Sequence, residues 1–378
     1  MRVGYYSPLP PERSGIADYS ALLLPALARR IDVVAARRGR DPNRADVRLY
    51  HVGNDPQAHA WILDALRRRP GVLVLHEIGL HELVASLALG RGDPAAYLDA
   101  VEREDGPEAR LLAEAALEGL VPPLWETRPL DFPLVHDLLE RATGVIVHSR
   151  FAERRLAERG YRGTIWRIPF PASPPSGAGD AGLSADRFPV VASLGALTYA
   201  KRIPQLLEAF ARLRRRFPRA LLVLAGSGGG SLRLDPRLER LGLARGRDVL
   251  DLGHVSGDRF LGLTARADVC VSLRWPTLGE TSASVVGALG LGKAVVVTDV
   301  GWYAELPDGV VAKVPLGEHE GDLLVATLEL LAEDDRVRRG LGEAAAAYAR
   351  REHDLERSAD AYADALREVA GEQAGKAT

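Results

Sequence analysis

Short apolar runs, most of them followed by a stretch with helical periodicity, recur along nearly the whole chain. In the first half they lie at Arg2–Ser7, Asp32–Ala36, Val47–Val52, Val72–His76, Gly144–His148 and Thr164–Ile168, and in the second at Val190–Leu194, Ala220–Ala225, Val249–Leu252, Asp268–Leu273 and Ala294–Thr298. Strands separated by helices pair in parallel, which predicts an α/β protein with doubly wound sheets. Residues 169–186, PFPASPPSGAGDAGLSAD, interrupt the alternation with Pro, Gly, Ser and Ala and read as a linker. At 378 residues the chain also exceeds the size at which one core stops growing. Two similar domains are therefore expected, residues 1–171 and 187–350, with a last helix over 351–378 that needs a surface and is drawn as crossing back to the first domain. Such domains would face one another across a cleft, with the carboxyl ends of their strands toward it.

Helices are predicted from Gly15 to Arg30, Ile203 to Phe217, Pro236 to Leu241, Asp258 to Arg266 and Thr281 to Leu291, with a helical tail from Asp322 to Ala370. Between Glu77 and Arg141 short helical segments are broken at Gly92 and Pro94, Gly106 and Pro107, and Pro122 and Pro123. This insertion either shapes a substrate site or covers a sheet edge.

Charge excludes some functions. Lys plus Arg (49) nearly balances Asp plus Glu (51), so there is no electrostatic case for a nucleic-acid partner. No apolar run approaches the roughly 20 residues of a membrane span, and the start lacks a signal-peptide core, which predicts a cytoplasmic protein. The cluster Arg67, Arg68, Arg69 leaves peripheral membrane attachment open, although a solvated helix end explains it as well. The single cysteine, Cys270, lies in an apolar run and reads as core. No D-x-D pair, zinc-spaced histidine pair or cysteine pair points to a metal, and no G-x-S-x-G elbow points to a nucleophilic serine.

The stretch from Trp275 to Gly301, WPTLGETSASVVGALGLGKAVVVTDVG, reads as polar loop, helix, Gly292, buried strand. Thr281 and Ser282 at the helix start offer unpaired N–H groups, hydroxyls and the positive end of the dipole, which suit a phosphate; they also suit a simple helix cap. Glu280 beside them suits the hydroxyls of a sugar attached to that phosphate. Gly287, Gly292 and Lys293 spell G-x-x-x-x-G-K, but Ala294 stands where a hydroxyl is needed and the order is helix then strand, the reverse of a nucleotide-binding P-loop.

Other polar residues fall at strand ends. Lys201 and Arg202 follow the strand that ends at Leu194, and paired cations in a first turn oppose the helix dipole unless they serve an anion. Gly15 at a helix start permits close approach of a ligand. His76, followed by Glu77, ends an apolar strand; His51, His81 and His148 have weaker claims. The run Gly226 to Gly230 lacks the last glycine of a dinucleotide fingerprint, where Ser231 stands, and reads as a loop lining a nucleotide pocket.

Taken with YYSPLPPERSGIADYSALLLPAL, VIVHSRFA, SLGALTYAKR and RWPTLGETSASVVGALGLGKAVVVTDVGW, in that order, the whole chain resembles retaining glycosyltransferases of family 4 with the GT-B fold. Its opening resembles bacterial mannosyl- and rhamnosyltransferase-like members of polysaccharide assembly. The resemblance implies two Rossmann-like domains, Gly15 against the donor phosphates, Lys201 on the diphosphate with Arg202 nearby, and Thr281 and Ser282 at the same group. It places His76 near the reacting carbon of the donor sugar, Glu280 on sugar hydroxyls, and His254 and Val255 at the base. Two positions depart from the family: Gly287 stands where a ribose-binding glutamate is common, and Ala196 replaces an arginine of the diphosphate turn.

The implied reaction transfers a hexose from a nucleotide-diphosphate sugar, GDP-mannose-like favoured over UDP or TDP donors, to an acceptor hydroxyl with retention and without metal or cofactor. The acceptor class stays open among glycans, lipid-linked molecules and small molecules, and the protein is expected as monomer or homodimer. An epimerase or phosphorylase on the same fold, or a non-catalytic nucleotide-sugar-binding member, are the alternatives.

Overall fold

The computed structural model describes the chain except residues 13, 40–41, 43, 173–178, 229–231 and 377–378. The middle of the linker and Gly229, Gly230 and Ser231 of the glycine run thus lie outside the described residues. Contacts divide the chain into two compact units. Unit 1 holds Met1–Pro171, Pro276–Thr281 and Leu355–Thr378; unit 2 holds Ala172–Trp275 and Ser282–Asp354.

Unit 1 carries six parallel strands: β1 (Arg2–Tyr6), β2 (Asp32–Ala35), β3 (Val47–Val52), β4 (Gly71–Leu75), β5 (Ala142–Val147) and β6 (Ile165–Arg167). Their order is β2-β1-β3-β4-β5-β6. Unit 2 carries β7 (Val190–Leu194), β8 (Leu221–Ala225), β9 (Val249–Asp251), β10 (Val269–Ser272), β11 (Ala294–Thr298) and β12 (Ala312–Val314), in the order β12-β11-β10-β7-β8-β9. Each order reverses direction once, beside β1 in unit 1 and between β7 and β10 in unit 2, and ligands of open α/β sheets bind at the carboxyl ends beside such points.

The strand sequences explain the parallel sheets. GVLVL, VVASL, LLVLA and AVVVT are buried at every position, as strands covered by helices on both faces must be. In unit 2 the helix Ile203–Arg216 lays Leu206, Leu207 and Phe210 onto Leu222, Leu224 and Val249. In unit 1 Ile62, Leu63 and Leu66 of Pro56–Arg68 cover Tyr50, Leu73 and Val145. At about 1.5–3 kcal/mol for each such side chain, this burial is the main stabilising term of both units.

The insertion forms five helices, His81–Leu89, Pro94–Asp105, Pro107–Leu117, Leu124–Thr127 and His136–Leu139. Pro at the first helical turn and Gly106, with a φ of 87°, set its breaks. These helices pack a small cluster of their own around Tyr97, Val101 and Phe132. The last helix, Leu355–Lys376, lies on Gly15–Ala28 in unit 1, burying Ala359, Tyr362, Ala363 and Leu366. Tyr19 donates to the Tyr362 hydroxyl at 2.8 Å, and Trp166 Nε1 donates to Glu368 at 3.0 Å. Among the described residues no helix is long and apolar enough to cross a membrane.

Two local expectations are corrected. The helix drawn from Thr281 begins at Ala283, because Ser282 is its N-cap, accepting from Val285 N, and Thr281 stays outside it. The loop Pro276–Thr281 belongs to unit 1 rather than to the second half that flanks it in sequence.

Candidate functional site

In unit 2 the carboxyl ends of β7, β8 and β9 lie side by side. Gly195 N donates to Ala225 O at 2.8 Å and Gly226 N to Gly253 O at 2.7 Å. A Cβ on Gly226 would stand 2.0 Å from Gly195 O, so Gly226 is required by close backbone approach rather than by loop flexibility. The turn after Gly195 leads through a 3-10 turn, Tyr199–Lys201, into the helix Ile203–Arg216. This turn folds the Lys201 side chain back, so that Nζ donates to Leu194 O at 2.7 Å and is 5% exposed. A Cβ built on Gly195 would lie 3.1 Å from Lys201 Nζ and 3.8 Å from Ser284 Oγ. Ser284 Oγ is 3.1 Å from Ser282 Oγ, the cap of the helix Ala283–Gly290. A lysine ammonium, a hydroxyl pair and a helix N-terminus thus converge on a glycine whose φ is 100° and which has no side chain to fill the space. Such a set is suited to a phosphate group.

Arg202 directly follows Lys201 at the start of the helix. Its guanidinium is engaged by Glu320, Nε to Oε1 at 2.8 Å and Nη2 to Oε2, a bidentate pair that is mostly buried. Its backbone is left-handed, φ 51°, a conformation costing a non-glycine residue roughly 1–2 kcal/mol. Nε and Nη2 of the fork are thus engaged by Glu320. His254 follows Gly253 and is exposed, and Val255 is half-buried. Gly287 lies inside its helix with open space where a Cβ would be.

Unit 1 gathers the other expected residues. The loop Pro276–Thr281 docks beside the end of β4: Ile78 N and Gly79 N both donate to Leu278 O at 2.9 Å. Gly279, with a φ of 79°, allows this, since a Cβ would meet Ile78 Cγ1 at 2.4 Å. The Glu280 carboxylate is held by its own loop, accepting from Thr277 Oγ1 at 3.0 Å and Leu278 N at 2.8 Å through Oε2. Thr281 Oγ1 is buried with no hydrogen-bond partner among the described residues. His76 and Glu280 thus belong to one region of unit 1, His76 two residues before Ile78. Glu77 accepts from Asn54 N at 2.5 Å, and a Cβ on Gly53 would lie 3.2 Å from Glu77 Oε1 and 2.5 Å from Ile16 Cδ1. The start of the Gly15 helix is therefore part of the same neighbourhood; a Cβ on Gly15 itself would meet nothing within 4 Å.

His76 sits in an aromatic cluster. Its ring centroid is 5.3 Å from that of His51, 5.0 Å from His148 and 4.7 Å from Tyr19, which is edge-on. Burial, with a smaller contribution from His148, holds His51 and His76 well below the ordinary histidine range. Both rings are therefore neutral at physiological pH. His81 lies apart, between Phe132 O (2.6 Å) and Tyr97 Oη (2.8 Å), in the insertion's own cluster. Tyr19, Tyr362, Thr277, Ser284 and Glu320 were not singled out from sequence. Ser284 was findable, two residues beyond Ser282 in the same first turn; Tyr362 and Glu320 lie more than a hundred residues from what they touch. Among the described residues no group of three or more His, Cys, Asp or Glu could hold a metal ion.

Residues 180–348 match the family model described as Glycosyl transferases group 1. No curated protein matches the chain. Among solved structures it is similar to sucrose-phosphate synthase (tll1590) from Thermosynechococcus elongatus, with 19% identity and a TM-score of 0.66 over 98% of this chain and 99% of that one. It is likewise similar to Anabaena Alr3699/HepE in complex with UDP-glucose, with 18% identity and a TM-score of 0.65 over 97% and 100%. AviGT4, a glycosyltransferase involved in Avilamycin A biosynthesis, gives 19% identity and a TM-score of 0.52 over 98% of each chain. Two six-stranded parallel sheets, shared over nearly the full length with such structures, make this a protein of the GT-B fold whose residues 180–348 match the group 1 glycosyl transferase model.

Proposed function

We propose that the protein is a glycosyltransferase that moves a hexose from a nucleotide-diphosphate sugar to an acceptor hydroxyl with retention at the anomeric carbon. The observation that carries this reading is the convergence of Lys201 Nζ, the Ser282 and Ser284 hydroxyls and the start of helix Ala283–Gly290 around Gly195. A leaving diphosphate gains one negative charge, beyond the two it already carries, as the glycosidic bond breaks. A fixed ammonium and oriented N–H groups stabilise that charge without rearranging, which is the most effective way to lower such a barrier. Lys201 and the helix N-terminus supply this stabilisation without a metal ion, and Arg202 acts by holding the turn through Glu320. Glu280 accepts from sugar hydroxyls, His76 meets the sugar near the reacting carbon, Gly15 lies against the phosphates, Thr281 and Ser282 meet the diphosphate, and His254 and Val255 border the base. Gly287 carries no carboxylate, so the ribose is held by other groups.

A structural relative was crystallised with UDP and glucose and with UDP-glucose, and this supports testing a uridine donor beside the GDP-mannose-like donor suggested by the resemblance. The purified protein is incubated in EDTA with UDP-glucose or GDP-mannose and a panel of glycan, lipid-linked and small alcohol acceptors. Release of the nucleoside diphosphate with an axial α-product from an α-donor is the expected result. Release of free sugar epimer or sugar 1-phosphate in place of a glycoside would overturn it.

A further inference from the structure

The buried histidine cluster of unit 1 has one arrangement that the proposed reaction does not by itself require. His51 Nδ1 and His76 Nε2 are 3.1 Å apart, a hydrogen bond between two imidazoles that burial keeps neutral. Each neutral ring carries one N–H, so one ring donates and the other accepts. The remaining nitrogen of His51, Nε2, is fully buried and has no hydrogen-bond partner among the described residues. If His76 donated, the proton of His51 would sit on that Nε2 as a buried N–H without an acceptor. If His51 donates, Nε2 is left as a bare lone pair in an aromatic pocket, walled by Tyr5 at 4.5 Å and Tyr362 at 6.3 Å between centroids. Orphaned buried N–H groups are rarer in folded proteins than under-satisfied acceptors. His51 is therefore the donor, and His76 Nε2 the acceptor.

We propose that His51 is a positioning residue that fixes the tautomer of His76, so that His76 presents a protonated Nδ1 to whatever the site binds. Since Nε2 of His76 is occupied by His51, Nδ1 is the nitrogen left for a ligand, and His76 is 8% exposed where His51 is fully buried. The edge of Tyr19 against the His76 ring, with its hydroxyl donating to Tyr362, holds the plane of the imidazole. His76 is thus a hydrogen-bond donor to a sugar oxygen and not a general base. This assignment of a role rests on the glycosyltransferase reading, whereas the tautomer itself does not.

The test has two independent readouts. In protein labelled with 15N-histidine, the ring nitrogens of His76 are identified by the signals lost in His76→Gln. The expected result is a protonated Nδ1 and an unprotonated Nε2 at pH 7.5 in the wild type, changing in His51→Leu to a protonated Nε2 or a mixture. A protonated Nε2 in the wild type, or an unchanged His76 in His51→Leu, overturns the proposal. In a donor assay His51→Leu lowers kcat about tenfold, the worth of roughly one oriented hydrogen bond, while the donor KM changes less than about twofold. His51→Asn, whose amide offers a donor in place of Nδ1, restores most of kcat and covers the case in which the leucine variant does not fold. Equal loss in both variants contradicts a positioning role. If the wild type transfers no sugar to any acceptor, the transferase reading falls while the nitrogen spectra still decide the tautomer.

Discussion

Replacing Lys201 by methionine keeps the aliphatic stem and removes the charge. Nζ is fixed by its bond to Leu194 O beside Gly195, and the charge of a phosphoryl oxygen is taken to lie about 4 Å from it. At an effective dielectric of about 20, one charge pair at that distance is worth about 4 kcal/mol. Water and the helix N-terminus recover part of this in the variant, leaving roughly 2–3 kcal/mol of lost transition-state stabilisation. The specificity constant kcat/KM should fall about 30- to 150-fold. Folding stability should change much less. The hydrogen bond to Leu194 O, about 1 kcal/mol, is lost, and the removal of a buried ammonium offsets such losses. The assay is release of the nucleoside diphosphate, with a urea titration of the same samples. A folded Lys201→Met with wild-type kcat/KM would refute the role of Lys201, and an equal loss of stability and activity would reduce it to a structural one.

Other consequences follow from particular contacts. Glu320→Gln leaves the mostly buried Arg202 unpaired in a left-handed turn and should cost about 3–5 kcal/mol in a thermal or urea melt; the double variant Arg202→Gly with Glu320→Gln removes both the orphan charge and the strain and should recover most of it. Gly279→Ala should lower stability by roughly 1–3 kcal/mol, because the new Cβ meets Ile78 at 2.4 Å in a positive-φ position, and it should impair turnover by displacing Glu280; unchanged melting would show that the loop is not docked this way. Burial drives the pKa of His51 and His76 well below the ordinary histidine value and that of His81 down to about 4, so the unfolded chain binds protons that the folded one does not. Stability is then fully present above about pH 6.5 and falls as the pH drops toward 4, each histidine adding about 1.4 kcal/mol per pH unit to the slope; His81→Gln should flatten the curve by one such step in urea titrations. Burial alone would raise the Asp248 carboxyl, but hydrogen bonds from Arg247, Ala244 N and Arg214 hold it well below the usual carboxylate range. Its contribution is present above the unfolded value near pH 4 and is lost as pH falls through the folded value, so Asp248→Asn should destabilise at neutral pH and lessen the acid dependence below pH 4.

The strands were readable because both sheets are covered on both faces, so each strand is a short uninterrupted apolar run with turn residues at its ends. β12, AKV, was missed: three residues with a central lysine at a sheet edge leave no such run. Helix ends were readable to within a few residues, and the shift of one start from Thr281 to Ala283 reflects two adjacent hydroxyl residues of which either can cap. Side-chain partnerships were legible only where local. Lys201 could be singled out because it is a rare lysine at a strand end, whereas the capture of Arg202 by Glu320 depends on packing across 118 residues. The same limit applied to the histidines. His76 and His148 each end a strand, and the register Val74 to Ile146 of β4 and β5 brings them abreast. Strand order cannot be read from periodicity, and so the cluster could not be foreseen.

Donor binding can be measured before any acceptor is known, by the thermal stabilisation of the wild-type protein with a panel of nucleoside diphosphates and nucleotide sugars in EDTA. A ligand at ~100 times its dissociation constant adds about 2.7 kcal/mol to folding stability, a shift of a few degrees for a protein of this size. One nucleoside diphosphate and its sugars should raise the melting temperature, and Lys201→Met should abolish most of that shift. No shift with any nucleotide in the panel would contradict a nucleotide-sugar site in this protein.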